Sequence, residues 1–191
     1  MRFSWVVIHV NYSNIKYFDI ANGSGCRTSI FVSGCRNHCD GCFNKETWSF
    51  DSGEKFTKET ISEIISRSAN SYIKGLSVLG GEPLDRDNQF DVLHLIICFR
   101  NEYPDKDIWL WTGYTYEELM EDNWKHVGVF TKQILDNIDI LVDGRYEKDK
   151  HSIGLRFRGS SNQRIIDIPK SIKSDALVLW QDDEVYGKHS W

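Results

Sequence analysis

Three of the chain's five cysteines, Cys35, Cys39 and Cys42, crowd into the stretch GCRNHCDGCFN with C-x3-C-x2-C spacing and no fourth cysteine nearby. The spacing i, i+4, i+7 could line one face of a helix. Gly34, Asn37, Asp40 and Gly41 oppose that, being poor helix formers and good turn formers. A loop lets three sulfurs curl toward one point and brings backbone N–H groups close to them, which stabilises thiolate charge. Three chemistries compete for such a loop. One is a structural zinc site closed by His38 or Cys26. Another is a set of incidental or redox-active thiols. The third is a [4Fe–4S] cluster with three cysteine-bound irons and a fourth iron left open for a ligand. The spacing favours the third, because zinc ligands usually come as two separated pairs and His38 lies inside the loop.

Further candidates recur downstream. Gly80-Gly81-Glu82-Pro83 follows an apolar run, and glycine there permits close backbone approach or positive φ. Trp109, Trp111, Thr112, Gly113 and Tyr114 form an aromatic strand end, in which Trp109 and Trp111 either fill the core or face a site. Asp143-Gly144-Arg145 is a ligand or partner contact, or a surface turn. Arg158 to Gln163, RGSSNQ, is polar, donor-rich and loop-like. Cys98 falls in an apolar helix pattern and Cys26 before a strand, so both read as structural, leaving too few cysteines for a second cluster. The histidines make no metal-binding spacing, and no acid–base or nucleophile–base pair is called for.

The elements that must position these residues alternate. TSIFVS (Thr28–Ser33) reads as a strand running into the cysteine loop. A helix follows with Ile61, Ile64, Ile65 and Ala69 on one face, and then the strand Leu76–Gly80. A second helix carries Phe90, Leu93, Ile96 and Ile97 and ends near Tyr103-Pro104. Ile108–Thr112 and Ile138–Val142 are further strands, with short helices at Tyr116–Met120 and Thr131–Leu135 between them. Looser β pieces follow at Arg164–Ile168 and Ala176–Trp180. Strands separated by helices make βαβ units, here about four, and a parallel sheet. A full eight-fold barrel needs about 250 residues; this chain has 191. An α/β fold built as an open, partial β/α barrel of parallel strands with flanking helices fits better. Chemistry in such folds sits at the carboxyl ends of the strands, where the cysteine loop, GGEP, TGY and DGRY all fall.

Residues 1–191 are read as a single domain with a core over about 17–164, an N-terminal extension and a C-terminal tail. A net charge of −5 argues against nucleic acid and anionic lipid as partners. The run Trp5–Val10 reads as a strand, too short for a signal-peptide core or a membrane span. An odd number of cysteines, three of them clustered, points to a reducing, cytoplasmic setting.

The three-cysteine motif after a strand resembles that of the radical S-adenosylmethionine (SAM) enzymes. The longer stretch NGSGCRTSIFVSGCRNHCDGCFN is similar to the subgroup that activates glycyl-radical enzymes, with Gly23, Gly25, Arg27, Phe31, Gly34 and Cys35 in the places of its G-x-G-x-R…F-x-x-G-C run. NKETW, GGEPL, KDIWLWTGY, LVDGRY and FRGSSNQR resemble the activators of anaerobic (class III) ribonucleotide reductase, and the likeness covers roughly Tyr17 to Arg164. One departure is shared with those activators: Gly41 stands where many radical-SAM loops carry an aromatic residue, and the aromatic here is Phe43. The resemblance implies a [4Fe–4S] cluster on Cys35, Cys39 and Cys42. It also implies SAM contacts from Gly41, Cys42, Phe43, Gly80, Gly81, Glu82 and Thr112. Glu82 either meets the ligand or braces its turn. Reductive cleavage of SAM to a 5′-deoxyadenosyl radical, and formation of a glycyl radical on the reductase catalytic subunit, are the implied reactions. A flavodoxin or ferredoxin-type electron donor is the implied second partner. An activase for another glycyl-radical enzyme, such as pyruvate formate-lyase, is the rival within this chemistry. A non-catalytic zinc-binding interaction module is the rival outside it.

Overall fold

The computed structural model describes residues 10–121 and 128–182. The expected strand Trp5–Val10 lies, up to residue 9, outside the described residues. Seven strands form one open sheet: β1 (Asn11–Asp19), β2 (Cys26–Val32), β3 (Glu54–Lys55), β4 (Ile73–Gly80), β5 (Asp107–Trp111), β6 (Ile140–Asp143) and β7 (Arg164–Asp167). Their order is β3-β1-β2-β4-β5-β6-β7. The central four, β2, β4, β5 and β6, are parallel, as the alternation of strands and helices requires.

Two expectations need correction. The sheet is mixed, not wholly parallel: β1 runs antiparallel to β2, β3 to β1, and β7 to β6. The four parallel strands are joined by three crossovers, not about four. The antiparallel margin was hidden because β1, NYSNIKYFD, is mostly polar and its Tyr12, Ile15, Tyr17 and Phe18 do not keep one alternating phase. Pairing with the β-branched and apolar β2 holds it in place.

Helices α1 (Lys58–Arg67) and α2 (Gln89–Glu102) form the first two crossovers. The short α3 (Tyr116–Met120) and α4 (Thr131–Leu135) lie between β5 and β6, and α5 (Ile168–Ser174) follows β7. A capping box between Thr57 and Thr60 starts α1, whose Ile61 and Ile64 are buried. In α2 the stripe differs from the expected one. Leu93 and Ile96 are buried, but Phe90 and Ile97 are exposed, because Val92, Leu95 and Phe99 supply the buried face instead.

Alternation along the strands sorts the two faces of the sheet. Ile30, Leu76, Val78, Ile108, Leu110, Leu141 and Ile166 point to the helices and make the main core. Trp109, Ile140 and Val142 point the other way and pack with Trp111, Phe157, Ile165 and Trp180. Arg27 is fully buried on this second side. Its guanidinium donates to Ser77 Oγ at 2.7 Å and to the Leu76 carbonyl at 2.8 Å, and it pairs with Asp107 at 2.5 Å. Ser77 Oγ in turn donates to the Asn22 carbonyl at 2.6 Å, which draws the loop before β2 across this face as a floor.

Candidate active site

The four parallel strands end together, and the loops that leave them surround a cleft of about 470 Å³. Cys35, Cys39, Cys42 and Phe43 line it from the loop after β2. Gly80, Gly81 and Glu82 come from the end of β4, Trp111, Thr112 and Gly113 from β5, and Gly144 from β6. Arg158, Gly159 and Gln163 close one side. Of the expected SAM contacts, Gly41 alone lies behind this wall, packed against the Lys148 side chain.

Glu82 is the hub. It is 1 % exposed, and both its oxygens are taken by donors of this chain. Oε1 accepts from Thr112 Oγ1 at 2.7 Å and the Leu84 N–H at 3.0 Å. Oε2 accepts from Asn37 Nδ2 at 2.9 Å and the Gly113 N–H at 2.7 Å. Burial pushes its carboxyl up to about 7 against the pull of those hydrogen bonds. Of the two roles open to Glu82 in the sequence, bracing is the one this bonding performs. It ties the cysteine loop to the ends of β4 and β5. Thr112 spends its proton on Glu82 and accepts from the Tyr114 N–H at 3.2 Å.

Two glycines are fixed by crowding. A Cβ on Gly81 would stand 2.6 Å from the Gly34 carbonyl oxygen and 3.0 Å from that of Thr47. A Cβ on Gly113 would stand 2.4 Å from Asn37 Nδ2. The loops can approach this closely only without side chains.

The cysteine loop is not helical, as its turn formers require. The Asn37 and His38 N–H groups are directed at the Cys35 sulfur, that of Tyr146 at Cys39, and that of Asn44 at Cys42 at 3.4 Å. Burial pushes the Cys35 thiol up to about 11 and raises that of Cys39 as well, so these two stay protonated at neutral pH as bare thiols. A cationic metal group reverses that preference, and the N–H donors match the negative charge of ligating thiolates. Among the described residues no three Cys, His, Asp or Glu side chains gather round a position for one ion. His38 instead stacks on Trp48 at 4.5 Å. Cys35, Cys39 and Cys42 are three soft sulfur donors on one cleft wall, a donor type that fits an iron–sulfur group.

Residues 21–166 match a family described as a 4Fe-4S single cluster domain. Over 156 residues the chain is 39% identical to the anaerobic ribonucleoside-triphosphate reductase-activating protein of enterobacteria phage T4, covering 82% of this chain and 93% of that protein. The protein of the same description from Vibrio cholerae is 42% identical over 158 residues, covering 82% and 97%. That from Escherichia coli is 43% identical over 156, covering 81% and 96%. The chain belongs to this family of activating proteins. It carries the family's 4Fe-4S domain over the elements that build the cleft.

Sequence reasoning missed several residues that assemble the site. Asn37 reads as a turn former, yet its amide reaches Glu82. Asn88 precedes α2 at its N-cap position, yet its side chain makes no cap bond. It donates to the Gly34 and Glu82 carbonyls, at 3.1 and 2.9 Å. Asp143, 1 % exposed, accepts from Arg164 and from the Tyr116 N–H at the start of α3, so it serves the frame and not the cleft surface. The RGSSNQ loop is ordered by Gln163, whose Oε1 accepts from the Gly159 and Ser160 N–H groups and whose Nε2 donates to the Gly144 carbonyl. No sequence spacing encodes the contacts among these that join separate strand ends, such as Asn37 to Glu82 and Gln163 to Gly144. Trp109 is core-like at 1 % exposure, while Trp111 lines the cleft and donates to the Phe157 carbonyl at 2.8 Å.

Proposed function

We propose that this chain is a radical SAM activase that generates the glycyl radical on the catalytic subunit of anaerobic ribonucleotide reductase. The observation that carries the reading is the meeting of Cys35, Cys39 and Cys42 with the GGE, TGY and RGSSNQ segments around one cleft. Cys35, Cys39 and Cys42 would hold the [4Fe–4S] cluster. With SAM bound, that cluster supplies the single electron that splits the sulfonium into methionine and a 5′-deoxyadenosyl radical.

The protein's part is to position and to shield. Glu82 locks the cysteine loop against the ends of β4 and β5, so the ligand-bearing wall cannot drift from the opposing one. Gly80 and Gly81 present backbone where side chains would block the methionine end of SAM. Phe43, 64% exposed and packed edge-on against Tyr146 at 5.1 Å, offers a ring to the adenine side. Thr112 keeps an acceptor for the ribose region, Cys42 contributes through its sulfur, and Gly41 shapes the turn from behind. The open sheet acts as a partial barrel whose missing side admits a protein segment. A cytoplasmic setting and a low-potential donor of the flavodoxin or ferredoxin class accord with the thiol-rich site. No described helix is long and apolar enough to cross a membrane.

The deciding experiment mixes anaerobically reconstituted protein with the reductase catalytic subunit, SAM and dithionite. Methionine, 5′-deoxyadenosine and a glycyl doublet in electron paramagnetic resonance are expected. Brown, cluster-loaded protein that leaves SAM intact would refute the reading.

A further inference from the structure

The two margins of the sheet are finished differently. Outside β7, the Asp167 N–H donates to the Val178 carbonyl and the Trp180 N–H to the Ile165 carbonyl, both at 2.9 Å. Outside β1, strand β3 covers only Asn11 and Tyr12. Among the described residues no strand pairs with the outer edge of Asn14–Phe18. A run of unpaired backbone groups is a template for another strand.

That open edge borders the cleft. Asn14, Lys16 and Phe18 alternate onto the cleft side of the sheet and are all exposed. The Lys16 ammonium lies 5.1 Å from the Phe31 ring centre, and both residues line the cleft. At the far end Phe18 is 67% exposed and stacks on half-exposed Tyr72 at 5.6 Å, beside Ile20 at 78% exposure. Lys16 and the register shifts on either side of Asn14–Lys16 blunt this edge only in part, and the large exposed apolar side chains beside it mark an interaction site.

We infer that β1 is the docking edge for an extended segment of the reductase, which adds to the sheet as a strand next to its glycine-bearing loop. This rests on the reductase being the partner, as proposed above. A polypeptide substrate brings its own backbone donors and acceptors, which pairing with Asn14–Phe18 satisfies without unfolding either protein. A strand added at about 4.8 Å from β1 lies along the cleft wall, so the residues that follow it turn directly inside. Lys16 favours an acidic side chain on the cleft side of that segment, and Phe18, Ile20 and Tyr72 favour an apolar one at its end. The covered margin at β7 offers no equivalent.

The test is hydrogen–deuterium exchange on cluster-loaded protein, with and without the reductase catalytic subunit. The amides of Asn14–Phe18 that face away from β2 should slow by about tenfold or more on binding, while Arg164–Asp167 stays unchanged. Phe18→Ser should weaken reductase binding several-fold yet leave SAM cleavage by dithionite, measured without reductase, at its original rate. Protection that appears only elsewhere, or outward-facing β1 amides already protected in the isolated protein, overturns the inference. So does a Phe18→Ser protein that binds reductase as tightly as the original. A glycyl radical formed with β1 exchange unchanged defeats the docking edge alone. Absence of any reductase binding defeats both the edge and the partner it rests on.

Discussion

Asn37, between the first two cysteines of the loop, donates its side-chain amide to Glu82 at 2.9 Å, and its own N–H is directed at the Cys35 sulfur. One residue therefore couples the position of a candidate cluster ligand to a buried carboxylate at the end of another strand. The cysteine loop is held besides by backbone bonds from Gly34 and Cys35 to the Thr47 and Trp48 carbonyls, and by Arg36, which pairs with Asp85 and Asp87.

Glu82→Ala should be costly. It strands the Thr112 hydroxyl, the Asn37 amide and the Leu84 and Gly113 N–H groups, each buried group costing about 1–3 kcal/mol when left unpaired. Relief from burying a carboxylate offsets part of this, so a net loss of about 3 kcal/mol is expected in urea unfolding of the metal-free protein under reducing conditions. Glu82→Gln keeps the shape and one acceptor oxygen, and should fall between the two. Equal stability of Glu82→Ala and the original protein would remove Glu82 from its place as the hub.

Gly113→Ala tests the same junction by volume. The added methyl meets Asn37 Nδ2 at 2.4 Å, so the amide must leave Glu82. Iron retained after reconstitution should drop several-fold. Gly154→Ala is the control, because its methyl finds only Ser152 Oγ at 3.8 Å, and its stability should stay within about 0.5 kcal/mol of the original. Identical iron content in the two variants would contradict the crowding argument.

The parallel centre of the fold was legible because its strands are apolar and β-branched and its crossovers carry helical periodicity. β2, β4, β5 and β6 overlap the expected runs, and the features at their ends line one cleft, as the rule for carboxyl ends of parallel strands requires. The margins were not legible. β1 is polar because it lies toward the rim of the sheet with one exposed side, and a polar strand carries little apolar signal. α2 misled in a related way: it is buried on Asp91 and Gln89 as well as on its aliphatic residues, since those polar groups bond Val10, Leu84 and Thr131. The Glu82 network escaped for another reason. Its members, Asn37, Glu82, Thr112 and Gly113, lie on three separate loops, and only the folded sheet makes them neighbours.

Gln163→Ala should loosen the loop on the far wall. Its amide serves Gly159, Ser160 and Gly144 together, and losing it leaves two N–H groups and one carbonyl without a partner. A loss of about 1–3 kcal/mol in local or global stability is expected. Exchange at the Gly159 and Ser160 amides should quicken. The reconstituted protein should also bleach faster in air than the original, because Gly159 packs on Tyr146, whose N–H faces Cys39. Unchanged exchange and bleaching would make the loop independent of Gln163.

The cysteines divide into two sets with opposite predictions. Cys35, Cys39 and Cys42 share one cleft wall, whereas Cys98 sits in α2 against the core and Cys26 begins β2 at the far end of the sheet. Changing any of the first three to Ala should abolish the brown colour and leave little iron after reconstitution, since a cubane held by two thiolates is poorly retained. Cys26→Ala and Cys98→Ala should keep full iron. His38→Ala should keep it too, because that ring is engaged with Trp48 and a cluster on three cysteines makes no use of it. Metal analysis of the six proteins discriminates sharply: loss of metal in His38→Ala, with zinc as the metal in the others, would replace the cluster by a four-ligand zinc site and remove the chemistry assigned to the cleft.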